Sequence, residues 1–265
     1  MSFDTINQAN FYYQLHGFKY IQTPWLVKDE ISNITKPEDK KNFYINDDVL
    51  VASGEQSFLQ IILEGEIQPG KYCTTTPCFR DETEDILHKR YFMKTELIIW
   101  DYKENNSITE EELLNMTELA TSFFEKYLPV KCVKTNIGYD ILDTNSNVEL
   151  GSYGIREYEN IRWMYGTGCA EPRFSHVYQL HKKNGYHNSI IPKYNIGDIG
   201  KIFEEVDELK DAVLTKNPIM ALVELSDLIG AIEFYLKSEH PKLTLDDLIK
   251  MNKITQRSFT NGRRK

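Results

Sequence analysis

The chain has 265 residues, 41% of them hydrophobic and 27% charged, with a formal net charge of -9. That suits a soluble protein of one large domain, or of a medium and a small one, and removes any broad electrostatic reason to hold nucleic acid. Cys73, Cys78, Cys132 and Cys169 form no C-x-x-C pair, the start "MSFDTINQAN" has no signal-peptide character, and no apolar run is long enough to span a membrane; reduced thiols and a cytoplasmic location are therefore expected.

In chain order, "INQANFYYQLHGF" has apolar residues at helical spacing and ends at Gly17, and "KYIQTPWLV" reads as extended. "QSFLQIILEGEI" reads as a helix stopped at Gly65, and "KYCTTTPCFRDE" and "RYFMKTELIIWDYK" as strands. "TEEELLNMTELATSFFEKYL" is an amphipathic helix, with Thr109 as N-cap and a glutamate three residues later. "VKTNIGYDIL" and "NVELGSYGI" read as short strands, and "RWMYGTGCAEPRF" as a Gly-rich turn leading into a helix. "NSIIPKYNIGD" reads as a linker, and from residue 198 the pattern is almost wholly helical, with breaks at "TKNP" and "SEHPKLT". Two domains are expected, a mixed one over 1–190 and a helical one over 198–265.

Three spaced segments of the first part carry chemistry. "GFKYIQTPWL" is a glycine stop followed by an extended stretch into Thr-Pro. In "CFRDETEDILHKRYFMKTE", Arg80 and Glu82 are expected on one face of an extended segment. The arginine fork suits a phosphate and the glutamate an adenine amino group, although a solvated charged hairpin would use the same residues. In "VELGSYGIREYENIRWMYGTGCAEPRF", glycines permit close backbone approach, Arg173 follows where a helix start could hold an anion, and Glu149 could hold magnesium; a plain tight turn is the alternative.

In this order the three segments resemble the motifs of class II aminoacyl-tRNA synthetases and their paralogues, over residues 11–180, and "VASGEQSFLQIIL" resembles their amino-acid pocket. The resemblance implies an α+β fold, an antiparallel sheet flanked by helices, a homodimer, and activation of a carboxylate by ATP. It implies Arg80 and Arg173 as catalytic groups on the α- and γ-phosphates, Glu82 and Phe92 at the adenine, and His88 or Arg90 at the distal phosphates. It further implies Glu149 for Mg2+, and an amino-acid pocket of Glu55, Gln56, Glu96, Gly151 and Ser152. The acidic charge and the lack of a recognisable anticodon-binding segment leave tRNA an unfavoured partner.

In the helical part, Glu204, Glu205 and Glu208 share one helical face and Glu224 and Asp227 another. Either both faces are solvated or they hold a cation between them. Leu222, Val223, Leu225, Leu228, Ile229 and Ile232 nearly surround Glu224 and Asp227, which points to a buried helix whose carboxylates need a metal or a partner. Glu-Glu-x-x-Glu followed by Glu-x-x-Asp resembles MazG-like all-α nucleoside triphosphate pyrophosphohydrolases. That implies Mg2+ on these five acids, Glu205 in catalysis, and Lys253, Arg257 and Arg263 on phosphates. His176, His181 and His187 show no metal-ligand spacing and read as surface or loop residues.

Overall fold

The computed structural model describes residues 2–181, 187 and 189–260, the last four by backbone only. The chain divides into two compact units, Met1–Lys182 and Lys183–Lys265. The first unit runs α1 (Phe3–Leu15), β1 (Lys19–Tyr20), β2 (Leu26–Lys28), α2 (Asp29–Thr35), β3 (Phe43–Ile45), β4 (Asp48–Leu50), α3 (Gly54–Leu63) and β5 (Gly70–Phe79). It continues through β6 (Tyr91–Tyr102), α4 (Glu110–Glu125), β7 (Val130–Lys134), β8 (Gly138–Asp143), β9 (Glu149–Tyr158), β10 (Ile161–Glu171) and α5 (Arg173–His181).

The helix boundaries follow local chemistry. Ser2 caps α1, Ser53 caps α3 and Thr109 caps α4, each side chain accepting from a backbone N–H of the first turn. Glu110, Glu111 and Glu112 place negative charge at the positive end of α4. Gly17 and Gly65 follow α1 and α3 at positive φ, a conformation that costs glycine little.

The main sheet has the order β1-β5-β6-β10-β9-β8-β7, and a small sheet has the order β2-β4-β3. The expectation of a wholly antiparallel sheet needs correction. β1 pairs with β5 in parallel, while the other pairs of the main sheet are antiparallel, so the sheet is mixed. On one face Phe58, Leu59 and Ile62 of α3 pack with Ile98, Trp100, Trp163 and Tyr165. On the other, the rings of Tyr13, Phe123, Phe124 and Phe174 from α1, α4 and α5 interlock with centroids 5–6 Å apart, with Tyr13 5.7 Å from Phe123 and Phe124 5.7 Å from Phe174.

The Gly-rich segment is a strand and not the expected turn. A Cβ on Gly166 would stand 2.5 Å from the Tyr153 ring, and one on Gly168 2.8 Å from the Tyr13 ring. The glycines let aromatic rings lie against the strand, a use that strand glycines commonly serve.

Among the described residues of the second unit, the regular elements are the helices α6 (Ile199–Leu214), α7 (Pro218–Glu239) and α8 (Leu245–Thr260). Asn217 caps α7, with Pro218 in its first turn, and Thr244 and Asp247 cap one another at α8. Two expectations fail here. α7 is not enclosed: Leu222 is 69% and Ile229 51% exposed, while Glu224 is 3% exposed, so the acid faces inward and the apolar side outward. The supposed linker packs on α6: Ser189 donates to Asp211 and the Tyr194 amide to Glu204. No helix among the described residues is long and apolar enough to cross a membrane.

Candidate functional site

A cavity of about 330 Å³ opens where the start of α3 meets β5 and β6. Arg80 lies just past β5. Its amide donates to Arg90 O at 2.9 Å, which ties the two ends of the 80–90 loop together. Its side-chain Nε donates to Ala52 O at 2.9 Å, and its guanidinium stands 5.0 Å from the Phe92 ring centre. The guanidinium is thus held in one orientation at the wall of the cavity that Arg80 lines. Glu82 also lines the cavity, but the expected shared strand face is wrong: both residues lie beyond the strand, and Glu82 is 3.1 Å from Lys40.

His88 lies on the cavity rim, 2.8 Å from Asp85. Hydrogen bonds from the His88 ring, and then from the His88 and Leu87 amides, pull the Asp85 carboxyl down to about 2. Arg173 and Glu149 meet across the opposite wall. The guanidinium lies 3.6 Å from the Glu149 carboxylate and 3.3 Å from its carbonyl. Arg90 stands over the Phe43 ring at 5.5 Å and is not among the residues lining the cavity. Gly151 does not line it either: a Cβ there would point at the Tyr153 hydroxyl, 2.6 Å away.

The cavity floor is charged and buried. Glu96 is 1% exposed and accepts from Ser53 Oγ at 2.7 Å and from Lys94 Nζ at 2.9 Å. Glu55 accepts from Arg156 and from the Trp163 indole, both at 2.7 Å. Burial nonetheless raises its carboxyl above the ordinary value, Arg156 and Trp163 opposing the shift only in part. Gln56 spends its amide inside the protein, accepting from Ala52 N and donating to Ser32 O, so it shapes the wall and has little left to offer a ligand. Ser152 lines the cavity. Sequence reading missed Lys94, Arg156, Trp163 and Glu171. Lys94 was accessible from its i+2 spacing to Glu96 on a strand; Arg156 and Trp163 lie on neighbouring strands and carried no local signal.

The helical unit holds a second cluster. Glu204, Glu205 and Glu208 of α6 and Glu224 of α7 are buried, and Asp227 is exposed. Carboxylate oxygens of Glu205, Glu224 and Asp227 lie within 4.8 Å of one another, as do those of Glu204, Glu205 and Glu208. The five acids are not equivalent. Glu204 accepts from Lys193 at 2.9 Å, Lys201 at 2.8 Å and Tyr194 N at 2.8 Å. Burial would raise its carboxyl, but the two lysines and the amide hold it below the ordinary value, so Glu204 is spent on anchoring the preceding segment. Glu205 takes one contact from Lys201 at 2.7 Å, and its Oε2 has no hydrogen-bond partner among the described residues. Burial raises Glu205 and Glu224, with Glu208 adding to the rise at Glu224.

Two histidines expected as surface or loop residues are engaged. His181 Nε2 is 2.7 Å from the fully buried Asp143. His187 stands 3.4 Å from Asp211, 3.7 Å from Glu224 and 3.8 Å from Glu208. Lys253 is exposed on α8; the side chain of Arg257 and the whole of Arg263 lie outside the described residues.

The fit to a divalent cation differs between the sites. In the cavity Glu149 is a single half-exposed carboxylate beside a guanidinium, suited to an ion held mostly through phosphate oxygens. In the helical unit several buried carboxylates converge with an unpaired oxygen among them, a donor set that can hold a cation by itself.

Comparison with known proteins matches residues 7–187 to the family model for tRNA synthetases class II core domain (F). The serine-tRNA ligase of Methanosphaera stadtmanae is 31% identical over 118 residues, 38% of this chain and 28% of that protein. That of Bartonella bacilliformis is 26% identical over 171 residues, 58% of this chain and 37% of that protein. The chain thus spans about a third of the length of these curated relatives. Among solved structures, seryl-tRNA synthetase from Pyrococcus horikoshii complexed with ATP superposes with a TM-score of 0.53 at 15% identity, over 65% of this chain and 48% of that one. Pyrrolysyl-tRNA synthetase from Desulfitobacterium hafniense does so with 0.53 at 13%, over 67% and 69%. Both likenesses are to the fold.

Proposed function

Because the chain belongs to the family of tRNA synthetase class II core domains, we propose that its first unit uses ATP to activate an amino acid or related carboxylate as an adenylate. The observation that carries this reading is Arg80, locked by Ala52 O and the Phe92 ring on the wall of the cavity that also presents Arg173. In the reaction a carboxylate oxygen of the substrate bonds to the α-phosphorus. The bond from that phosphorus to the bridging oxygen breaks, and pyrophosphate leaves. Charge grows on the α-phosphoryl oxygens, and a guanidinium fixed beforehand stabilises it without reorganising. Phe92 offers a face for the adenine and Glu82 an acceptor for its amino group. His88 on the rim and Arg173 serve the distal phosphates. Glu96 and Ser152, with Glu55 behind them, form the amino-acid end, and Glu149 a Mg2+ ligand. Bound Mg2+ would neutralise phosphate charge.

The experiment is amino-acid-dependent exchange of pyrophosphate into ATP, run with purified full chain and a panel of carboxylates. One acid should support exchange, and Arg80→Ala should cut it by about 10²–10³-fold. ATP binding without exchange for any acid would reduce the unit to a ligand-binding scaffold. The net charge of -9 argues against tRNA as the acceptor.

A second activity is favoured by the facing acids of α6 and α7: hydrolysis of a nucleoside triphosphate to monophosphate and pyrophosphate, in the manner of MazG-like enzymes. Glu205, Glu208, Glu224 and Asp227 are the metal-facing acids and Glu204 their anchor. A divalent cation there would polarise phosphates and lower the pKa of water. The unpaired Glu205 oxygen is placed to take the proton of that water, and Lys253, Arg257 and Arg263 are the phosphate contacts. Cleavage of one NTP or dNTP in a panel, lost in Glu205→Gln and Asp227→Asn, is the expected result; no cleavage would make the cluster structural. A homodimer completes the reading, supported by the exposed Leu15, Tyr20 and Trp25 in the first unit and Leu222 and Ile229 in the second.

A further inference from the structure

His187 sits where a purely carboxylate site would have only oxygen. Its Nε2 faces Glu208, whose same oxygen also accepts from Lys193 Nζ, at 3.8 Å and Glu224 at 3.7 Å. Both separations exceed hydrogen-bond distance. Two ligands each ~2.1 Å from a shared ion stand about 3–4 Å apart, and the three ligand atoms lie within 4.8 Å of one another. The other ring nitrogen, Nδ1, points to Asp211 at 3.4 Å. Asp211 is itself fixed, accepting from the amide and hydroxyl of Ser189. The two ring nitrogens thus face different carboxylates, as they do in a metal-bound imidazole whose second nitrogen is oriented by a carboxylate. Charge points the same way. Among the described residues, Glu204, Glu205, Glu208, Asp211, Glu224 and Asp227 bring six formal negative charges, and Lys193 and Lys201 two positive ones, leaving four. The buried Glu205 Oε2 has no hydrogen-bond partner among the described residues, a second and independent observation that points to a cation there.

We propose that His187 is a direct ligand of this cation through Nε2, with Asp211 as its positioning residue, and that it turns the site toward first-row transition ions and away from Mg2+. The inference rests on the pyrophosphohydrolase reading of the helical unit and deepens it. Imidazole nitrogen is a good ligand for transition ions, whereas Mg2+ takes oxygen donors and gives up its waters reluctantly. A site built for Mg2+ alone has no use for a ring held by its own carboxylate.

The test uses the full chain and Mn2+. Loss of the free-ion electron paramagnetic resonance signal gives the affinity, and pulsed measurements on the bound ion report ¹⁴N coupling from a ligating imidazole. The wild type is expected to bind Mn2+ with a clear ¹⁴N coupling and to prefer it over competing Mg2+ by tenfold or more. His187→Ala and His187→Gln should abolish the coupling and most of the preference while retaining the wild-type melting profile. Asp211→Asn should keep the coupling and weaken binding by about 10–100-fold. Mn2+ bound without nitrogen coupling would overturn the assignment of His187 and leave the hydrolase reading standing. No binding of Mn2+ or Mg2+ would sink both.

Discussion

Glu55 shows how a single side chain sets the behaviour of the cavity floor. Its carboxylate is 4% exposed and bonded to Arg156 and Trp163, yet burial lifts it above its ordinary value of 4.5. A carboxyl raised on folding contributes stability that is fully present below the unfolded value and is lost as pH rises through the folded one. Glu55→Gln removes that titration and keeps an acceptor for the Trp163 N–H. Arg156 is half-buried and stacked 4.4 Å from the Tyr165 ring centre, so it is not left as a stranded buried charge. Thermal melts should therefore show the difference between variant and wild type, as Tm of the variant minus Tm of the wild type, growing as pH rises from about 4 to 7. A difference that shrinks with rising pH would contradict the assigned direction. The motif residues Arg80, Glu82, Glu149 and Arg173 were legible because local sequence carries them. Arg156 and His187 were not. The first reaches the cavity from a mid-sheet strand, and the second meets its acids through the path of an irregular segment, neither of which leaves a spacing to read.

At the level of elements, capping made the long helices readable. Thr109 Oγ1 accepts from Glu112 N at 3.2 Å, as the glutamate-rich start of α4 led one to expect. Thr109→Ala should lower unfolding free energy by about 1 kcal/mol in denaturant titrations. β10 was misread because glycine is a poor strand former and a common turn former. Its glycines answer to the neighbouring layer: Tyr153 is fully buried and its hydroxyl donates to Thr167 O at 2.5 Å, so the ring cannot yield to a methyl group at residue 166. Gly166→Ala should cost about 1–3 kcal/mol by overpacking, and an unchanged denaturation midpoint would show that the layer has slack. α7 was misjudged for the opposite reason. A helix apolar on most sides is expected to be buried, whereas Leu222 and Ile229 face outward and Glu224 inward. α2, β3 and β4 escaped notice because each element is seven residues or fewer.

For the whole molecule, the two proposed activities use separate residue sets in separate units. Arg80→Ala should cut exchange of pyrophosphate into ATP by about 10²–10³-fold and leave nucleotide hydrolysis within about twofold, and Asp227→Asn should remove hydrolysis and leave exchange within about twofold. If either change removed both activities, the units would have to be coupled. The division itself was visible in the sequence as a shift from mixed to wholly helical pattern. Its position was harder to see, because residues 189–198 look like a linker and are in fact bound to α6 by Ser189, Lys193 and Tyr194.

The sheet order has a consequence for how the chain is made. β6 has β5 on one side and β10 on the other, and β7, β8 and β9 join the sheet only through β10. On a ribosome, β6 emerges with an unpaired edge bearing Leu97, Ile98, Ile99 and Trp100, and about sixty residues must follow before Ile161–Glu171 can cover it. The closing strand goes into the middle of the sheet and not onto its rim. A nascent chain stopped short of Ile161 would carry two half-sheets with nothing between them, and such a fragment should depend on chaperones to stay in solution.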